Sequence, residues 1–429
     1  MEYKSAERAR TALVKKGLNK NMKKNIIVGQ SGGPTAAINA SLAGIIRGAM
    51  QSSEIGEIYG ALNGIEGLLK RNIIDLRKSI KTAEDYDRLA ATPAMALGSC
   101  RFKLPAAPHE KYDEILQIFK DYNIGYFFYI GGNDSMDTVK QLSNFFKEKG
   151  ENISCIGVPK TIDNDLPVTD HTPGFGSAAK YIAGSIAEIA LDSGVYDMFS
   201  VIVAEIMGRH AGWLAAATVL ARDAVGSAPQ LIYLPEAPFD EERFIEKVKN
   251  YSKEKKLLII AVSEGIKNKN GEYLSAAGAS VDGFGHVALA GVGKYLEELI
   301  KEKVGCKVRS IEFSVLQRAA GHFASATDIA EALRIGEEAV RAATGGQTGV
   351  MMTFERVSNA PYLVNYGSVP IEKCANLEKT IPAGWIIDGC DVSKEMVEYL
   401  RPLTTGRAPY FEKDGMPSYL FLNKEIVSK

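Results

Sequence analysis

The sequence predicts an α/β fold in which helices cover one or two mostly parallel β-sheets. Short apolar segments bounded by glycine alternate along the chain with amphipathic segments of helical period. This alternation is typical of parallel sheets, because each parallel connection crosses the sheet through a helix. With 429 residues, 46% of them hydrophobic and 24% charged, the chain is long enough for two domains with separate cores.

The first strand is predicted at residues 26–28, after which apolar side chains at helical spacing predict a helix, at Ile38, Leu42, Ile45 and Ile46. A strand at residues 126–130 also precedes a helical pattern. The same alternation predicts further strands at residues 153–158, 201–204, 231–234 and 257–262, with a helix at residues 241–253. Asp328 and Glu331 have capping-box spacing before a periodic apolar run, which predicts a helix that begins there.

The two ends of the chain lack this regular pattern. Residues 1–22 are rich in lysine and arginine with little strand pattern, so we expect a flexible or loosely helical extension, or an added segment, outside the fold. Glycine and proline clusters after residue 380 predict an irregular C-terminal segment. No linker of biased composition marks a domain boundary, and the chain can cross between domains more than once.

The composition argues against several classes of protein. Lysine plus arginine (51) nearly balances aspartate plus glutamate (52), so no net field favours nucleic acid or a membrane surface. No stretch reaches the roughly 20 uncharged apolar residues of a membrane span, and the N-terminus has no signal-type apolar core. The five cysteines are scattered without a C-x-x-C pair, which disfavours disulfides and zinc. We expect a soluble protein of the cytoplasm.

The residues that follow each predicted strand are candidates for binding, because parallel α/β sheets bind ligands at the carboxyl ends of their strands. The first strand runs into residues 29–34, a loop that contains Gly32 and Gly33. Such a loop exposes backbone N–H groups and a helix N-terminus to a phosphate. The loop lacks the Walker lysine and the G-x-G-x-x-G spacing, so a glycine turn required for tight packing remains an equal alternative.

Two later strands end in acidic residues beside glycine or lysine, at residues 131–135 and 159–165. Asp163 and Asp165 are two residues apart, so one carboxylate can face a substrate hydroxyl while the other faces a magnesium ion. Paired loop carboxylates are more often solvated turn residues. Their position next to Lys160 and a second acidic turn favours the functional interpretation.

Six motifs, in order and at compatible spacing, resemble the phosphofructokinase family from about Lys24 to about residue 345. They are residues 30–33, 97–102, 131–135, 159–165, 207–209 and 317–318. The resemblance implies two Rossmann-like three-layer domains with mostly parallel sheets and an active site between them. It implies a larger donor-binding domain at residues 23–174 plus about 317–385, a smaller sugar-phosphate-binding domain at 175–316, and a C-terminal wrap at about 386–429.

The resemblance also implies a role for each matched position. Asp163 is the base that takes the proton from the 1-hydroxyl of fructose 6-phosphate, and Arg101 bridges the transferring phosphoryl group, with Lys160 as a further catalytic cation. The metal is Mg²⁺, at Asp165 and Asp134. The expected donor-binding residues are Gly32, Gly33, Asp134, Lys160 and Thr161. The expected substrate-binding residues are Thr161, Asp163, Met207, Gly208, Arg209, Glu264, Arg309 and Arg318.

Several positions depart from the family pattern or have an ordinary interpretation. Asn133 stands where many relatives have a metal-associated aspartate, so metal contact there is doubtful. Ser200 and Val315 replace an arginine from a neighbouring subunit and a histidine near the sugar in ATP-using bacterial relatives, so the list of 6-phosphate ligands is incomplete. Packing or hydrogen bonding is expected of His210 and His322, and a core position of Trp213.

The residues at 134 and 160 predict the phosphoryl donor. ATP users of the family generally have glycine at both positions, whereas pyrophosphate users have aspartate and lysine, as in Asp134 and Lys160. A carboxylate here would crowd and repel the α-phosphate of a nucleotide, since two like charges about 4 Å apart repel by roughly 4 kcal/mol at an effective dielectric of about 20. The ammonium of Lys160 can instead reach a small, highly charged pyrophosphate.

The predicted activity is therefore reversible phosphoryl transfer from pyrophosphate to fructose 6-phosphate, a step of glycolysis and gluconeogenesis. The resemblance implies a homodimer or homotetramer that shares its sugar-phosphate site, with sedoheptulose 7-phosphate as a plausible second acceptor. The alternatives are an ATP-dependent enzyme of the same fold, a non-catalytic regulatory subunit, and a sugar-phosphate-binding protein without chemistry.

Overall fold

The computed structural model of the chain describes residues 23–274 and 291–428. The predicted N-terminal extension at residues 1–22 lies outside the described residues. The described part of the chain contains two main β-sheets with helices on both faces of each. The predicted α/β class with mostly parallel sheets is confirmed.

The larger sheet has seven strands, β1 (Lys24–Gln30), β2 (Ile55–Ala61), β3 (Ile73–Asp75), β4 (Ile124–Gly131), β5 (Ser154–Pro159), β10 (Val350–Asn359) and β11 (Tyr362–Pro370). Their order across the sheet is β11-β10-β5-β4-β1-β2-β3. The central strands are parallel, and β3 and β11 close the two edges as antiparallel partners of β2 and β10.

The two faces of this sheet are covered by helices in separate layers. Helices α1 (Ile38–Gln51), α3 (Ala83–Ala91) and α12 (Ala326–Thr344) share one hydrophobic core, and α2 (Gly64–Leu69), α4 (Glu110–Asp121) and α5 (Asn133–Glu148) share the other. Along β1, Ile26 and Val28 belong to the first core and Ile27 to the second. This alternation follows from the two-residue period of a strand buried on both faces.

The strands of the smaller sheet are β6 (Ser200–Ile206), β7 (Leu231–Tyr233), β8 (Leu257–Ser263) and β9 (Lys307–Glu312). They are all parallel, in the order β7-β8-β6-β9. One face packs on α6 (Phe175–Ser193), α7 (Trp213–Ala217) and α13 (Lys394–Leu403), and the other on α9 (Glu241–Glu254) and α10 (Val292–Lys303). The short helices α8 (Arg222–Val225) and α11 (Leu316–Ala319) complete the order up to α13.

The C-terminal segment has little regular structure apart from α13. It forms two short antiparallel pairs, β12 (Ile386–Ile387) with β13 (Asp391–Val392) and β14 (Glu412–Lys413) with β15 (Met416–Pro417). Leu422 of this segment lies in the core of the larger sheet, and Leu400 in that of the smaller sheet. No helix within the described ranges is long and apolar enough to span a bilayer.

The predicted start of α12 is wrong in its detail. The helix begins at Ala326, and Ser325 is its N-cap, with Oγ accepting from the N–H of Asp328 at 3.4 Å. The carboxylate of Asp328 instead accepts from the N–H groups of Gly174 and Ser177 at the start of α6, at 2.9 and 3.0 Å. A tertiary contact therefore competes successfully with the local cap that the spacing predicts.

Candidate active site

The carboxyl ends of strands from both sheets open onto one cleft of about 620 Å³. Loops after β1, β4 and β5 form one wall, and loops after β6 and β8 form the other. The cleft brings together most of the residues that the sequence predicts for it: Gly32, Gly33, Arg101, Asn133, Asp134, Lys160, Thr161, Asp163, Asp165, Met207, Arg209, Glu264 and Arg318.

The glycine loop after β1 makes room for two cations. Gly32 has a φ of +81°, which is open to glycine and strained for other residues, and a Cβ there would lie 3.2 Å from Nζ of Lys160. A Cβ at Gly33 would lie 3.4 Å from Nη1 of Arg318. Lys160 Nζ donates to the carbonyl of Gly33 at 2.7 Å. The two interpretations of this loop thus coincide, since close packing of these glycines brings charged groups to the cleft. The helix N-terminus expected beside the loop begins only at Ile38, and Thr35 Oγ1 accepts from the N–H of Ile38 at 3.0 Å.

The N-terminus of α5 faces the same cleft directly after β4. Gly132 is the N-cap, and Asn133 and Asp134 form the first turn. Helix N-termini attract anions through their free N–H groups and the helix dipole. Oδ1 of Asn133 is buried and has no hydrogen-bond partner among the described residues. An unmatched acceptor at this place is suited to a cation or a donor of a bound ligand.

The loop after β5 carries the two central carboxylates. Thr161 Oγ1 accepts from the N–H of Asp163 at 3.0 Å, which closes a tight turn. Asn164 has a φ of +53°, a conformation that asparagine tolerates better than most residues, and its Nδ2 donates to the hydroxyl of Tyr399 at 2.8 Å. This turn points Asp163 and Asp165 into the cleft on either side of Asn164.

Burial raises the pKa of three carboxyl groups that line the cleft. It raises the pKa of Asp163, while the charge of Lys160 opposes the rise. It raises the pKa of Asp165 to about 7, and the neighbouring charge of Asp163 adds to the rise. Burial likewise raises the pKa of Glu264 to about 7, again assisted by Asp163. Asp165 and Glu264 can therefore exchange protons near neutral pH.

The cations of the cleft respond to burial in the opposite direction. Lys160 is 2% exposed, and burial lowers the pKa of its ammonium to about 8, although Asp163 and Asp165 oppose the shift. Burial also lowers the pKa of Arg318, and the nearby charge of Arg101 acts in the same sense. Positive groups held so close together are favoured when an anion lies between them.

The other wall of the cleft comes from the loop after β6. The N–H of Gly208 donates to Oε1 of Glu264 at 3.3 Å, so this predicted residue shapes the wall through its backbone. Its φ of +145° and a Cβ position 2.7 Å from the carbonyl of Ala211 require glycine. Nε of Arg209 is buried without a hydrogen-bond partner in the described parts of the chain, and the residue lines the cleft.

Arg309 is the predicted site residue that the structure does not bring to the cleft. It is exposed on β9, which pairs with β6 on one side and forms an edge of the smaller sheet. Val315 is 52% exposed at the start of α11, and Ser200 is buried where β6 begins, at the opposite end of that strand from the cleft.

Two histidines and a tryptophan were expected to have structural roles. His210 lines the cleft, and its Nδ1 lies 2.5 Å from Oε1 of Glu378. His322 packs edge-on against Tyr181, with ring centroids 6.1 Å apart. Trp213, the first residue of α7, is 3% exposed in a hydrophobic core of the smaller sheet, so its predicted core position is confirmed.

The sequence did not predict the part of the cleft that residues 376–378 provide. Asn376, Leu377 and Glu378 line the cleft although they lie beyond the matched motifs. Nδ2 of Asn376 donates to Oδ1 of Asp137 on α5 at 3.0 Å. No periodicity or motif marks this stretch, because its place depends on tertiary contacts. Other lining residues to which the sequence assigned no role are Pro34, Thr35, Lys103, Gly132, Ser135, Ile162 and Ala211.

The fold and the site together define an α/β enzyme that acts on phosphate groups in a cleft between two mostly parallel sheets. The family model described as phosphofructokinase matches residues 25–343. The chain belongs to the phosphofructokinase family, which confirms the resemblance seen in the motifs.

Several relatives match nearly the whole length of the chain. It is 42% identical over 411 residues to the pyrophosphate–fructose 6-phosphate 1-phosphotransferase of Xanthomonas campestris pv. campestris, covering 94% of this chain and 97% of the relative. It is 40% identical over 412 residues to the protein of the same name from Halomonas elongata, with coverage of 94% and 97%. The crystal structure of the pyrophosphate-dependent phosphofructokinase from Marinobacter aquaeolei superposes with a TM-score of 0.85 at 38% identity, covering 95% of this chain and 98% of that one.

Proposed function

We propose that this enzyme transfers a phosphoryl group reversibly from inorganic pyrophosphate to the 1-hydroxyl of fructose 6-phosphate. The observation that carries the choice of donor is the buried ammonium of Lys160, which lies over the glycine loop and donates to the carbonyl of Gly33. A charge held there suits a compact anionic donor. Relatives of about 40% identity whose names contain this activity support the proposal.

Asp163 acts as the general base in this proposal. Burial raises its pKa, which makes the carboxylate a stronger proton acceptor than an exposed aspartate. Lys160 and Arg101 face the same space and neutralise the oxygens of the transferring group. Phosphoryl transfer depends mainly on such positioning and charge neutralisation, so little covalent work is required of the protein.

The residues present fit a magnesium ion bound together with phosphate. Asp165 and Asp134 offer carboxylate oxygens, and the unmatched Oδ1 of Asn133 offers a third oxygen on the same side of the cleft. Among the described residues, no group of three or more His, Cys, Asp or Glu side chains is arranged to hold a metal alone. Magnesium commonly takes one or two carboxylates and completes its shell with substrate phosphates and water. When bound, it supplies further neutralisation of the phosphate charge.

The sugar phosphate lies, in this proposal, against the wall built by Met207, Arg209 and Glu264, with Arg318 toward its 6-phosphate. The donor then occupies the half of the cleft built on the larger sheet, in line with the division into domains at residues 23–174 plus about 317–385 and at 175–316. Arg309, exposed on an edge strand, serves the site of a second subunit in a homodimer or homotetramer.

We place the enzyme in the cytoplasm, where its substrates would be available. All five of its cysteines are free, and buried thiols such as Cys100, Cys155 and Cys374 suit a reducing compartment.

A matrix of donors and acceptors tests the proposal directly. Initial rates of the purified chain are measured with pyrophosphate, ATP and polyphosphate, each against fructose 6-phosphate and sedoheptulose 7-phosphate. We expect turnover with pyrophosphate and fructose 6-phosphate, and little with ATP. Preference for ATP would overturn the choice of donor, and absence of turnover with every pair would support a regulatory or binding role.

A further inference from the structure

One segment of the C-terminal region connects both walls of the cleft. We call residues 376–381 the cleft strap. At one end Asn376 Nδ2 donates to Asp137 on α5, at 3.0 Å. At the other end the N–H of Ile381 donates to Oε1 of Glu236 at 3.1 Å, and the same carboxylate accepts from the N–H of Gly212 before α7 at 3.0 Å. The cleft strap is thus anchored to α5 of the larger sheet and to the loop after β7 of the smaller sheet.

Lys379 lies in the middle of the cleft strap and is bonded through its backbone to both sides. Its N–H donates to the carbonyl of Asp165 at 2.7 Å, and its carbonyl accepts from Nε1 of Trp213 at 3.1 Å. The first of these bonds joins the strap to the loop that carries the two central carboxylates.

The side chain of Lys379 runs back behind the same loop. Its Nζ donates to Oδ1 of Asn164 at 3.2 Å, to the carbonyl of Thr169 at 3.1 Å and to the carbonyl of Asp170 at 2.8 Å. An ammonium has three donors, so all three are matched. Asn164 is the residue between Asp163 and Asp165, and the Nδ2 of its side-chain amide donates to the hydroxyl of Tyr399 at 2.8 Å.

Burial of the Lys379 charge costs free energy, which the three hydrogen bonds that its ammonium donates help to offset. Burial lowers the pKa of Lys379 to about 8, which reflects the free-energy cost of enclosing its charge. Without the ammonium, Oδ1 of Asn164 and the carbonyl of Thr169 would lose the hydrogen bond that it donates, whereas the carbonyl of Asp170 would keep the one from the hydroxyl of Tyr399 at 2.7 Å. The positive φ of Asn164 already departs from the common conformation. On the strap, the side chains that line the cleft are those of Asn376, Leu377 and Glu378. Lys379 therefore supports the loop from behind and does not face the substrates.

We propose that Lys379 is a positioning residue that holds the loop of Asp163 and Asp165 in its catalytic geometry. It acts through the side chain of Asn164 and the carbonyl of Asp165. The proposal rests on the proposed function, because it assigns to this loop the base and a metal ligand.

The test compares Lys379→Met with Lys180→Met. Methionine keeps an unbranched apolar stem one atom shorter than lysine and removes the charge. Lys180 is a matched control on α6: it is partly buried, donates to the carbonyl of Gly406, and its Nζ lies 4.8 Å from the ring centroid of Phe323. It does not line the cleft. For Lys379→Met we expect kcat to fall about 10- to 100-fold, since small misplacements of reacting groups have effects of this size. The KM for fructose 6-phosphate should change less than about threefold, and the magnesium concentration for half-maximal rate should rise. Lys180→Met should leave all three unchanged.

Tyr399→Phe removes the hydroxyl on the other side of Asn164 and keeps the ring. It should also lower kcat, and the double variant with Lys379→Met should lose less than the product of the two single effects, because both act on one loop.

If kcat of Lys379→Met stays within about twofold of the unmutated enzyme, or falls only in proportion to a lost folded fraction measured by thermal unfolding, the proposal is wrong. If Lys379→Met does not fold, Tyr399→Phe decides: an unchanged kcat overturns the proposal and a reduced one supports it. Failure of the unmutated enzyme to use pyrophosphate would instead count against the proposed function.

Discussion

Asp163 and Asp165 are identical in chemistry but differ in their neighbours. The raised pKa of Asp163 is opposed by Lys160 and then by Arg209, whereas that of Asp165 is raised further by Asp163 and Glu378. A carboxylate beside cations remains ionised and can accept a proton, and one beside other carboxylates is stabilised by a bound cation. The surroundings of the two residues thus support the division into base and metal ligand.

Asp163→Asn should lower kcat by about 10²- to 10⁴-fold and change the KM values little, because it removes the proton acceptor and keeps the shape. Steady-state kinetics with pyrophosphate and fructose 6-phosphate provide the measurement. Asp240→Asn is the matched control, since Asp240 caps α9 far from the cleft. A loss of less than tenfold would show that Asp163 is not the base.

Asp165→Asn should stabilise the protein in a manner that depends on pH. The carboxyl of Asp165 has a pKa of about 7 in the fold against an ordinary value of 3.8, so the fold binds the extra proton between these values. The free energy of unfolding therefore decreases as the pH rises from about 4 to about 7, and the cost is fully present above that range. The variant removes this cost, so its gain in melting temperature should be largest near pH 8 and shrink toward pH 5.

The measurement is thermal unfolding without magnesium or phosphate. Asp240→Asn should lower the melting temperature instead of raising it. A hydrogen bond from Lys269 and others from backbone N–H groups stabilise the charged carboxylate of Asp240 and lower its pKa. An equal gain for Asp165→Asn at both pH values would contradict the linkage.

At the scale of elements, the proposed donor site lies on two loops that follow adjacent strands. Asp134 lies in the first turn of α5 after β4, and Lys160 follows β5. Because β4 and β5 pair in parallel, their carboxyl ends bring the two residues into one cleft. In the proposed function, the charge of Asp134 would repel a nucleotide phosphate and that of Lys160 would attract pyrophosphate.

Exchange of these two residues for glycine should change the donor preference. Lys160→Gly alone should damage the use of pyrophosphate without creating much use of ATP, since the carboxylate of Asp134 remains. Asp134→Gly should raise kcat/KM for ATP, and the double variant should raise it further without simple additivity, because both positions lie in one site. Loss of pyrophosphate activity by Asp134→Gly with no gain for ATP would show that repulsion at this residue is insufficient as the explanation.

The strands and the motif residues could be predicted from the sequence because they depend on local pattern. The strand predicted at residues 257–262 is β8 (Leu257–Ser263), since a run of apolar residues bounded by polar ones determines it. The cap of α12 and the cleft strap could not be predicted in this way. Asp328 is drawn to Gly174, and Lys379 to Asp165, by contacts between residues more than 150 positions apart. No periodicity encodes such contacts.

At the scale of the whole molecule, the exposed side of the smaller sheet is the place to look for a second subunit. Arg309 is exposed on the edge strand β9, and the following turn exposes Val315 and Leu316 at 52% and 60%. An arginine that serves the chemistry from this surface would have to act in the cleft of another copy of the chain. In a dimer with twofold symmetry, each site would then contain Asp163 of one chain and Arg309 of the other.

Mixing two inactive variants tests this sharing. Arg309→Ala should raise the KM for fructose 6-phosphate strongly, and Asp163→Asn should abolish most turnover. A hybrid dimer of the two variants has one site that lacks both groups and one site that lacks neither. After random exchange of equal amounts, half of the dimers are hybrids, so about a quarter of the unmutated activity should return at low fructose 6-phosphate. Co-expression with two different affinity tags and purification through both isolates the hybrid, whose activity should be about half. If the activity per hybrid dimer equals only the mean of the two parental dimers, Arg309 acts within its own chain or not at all.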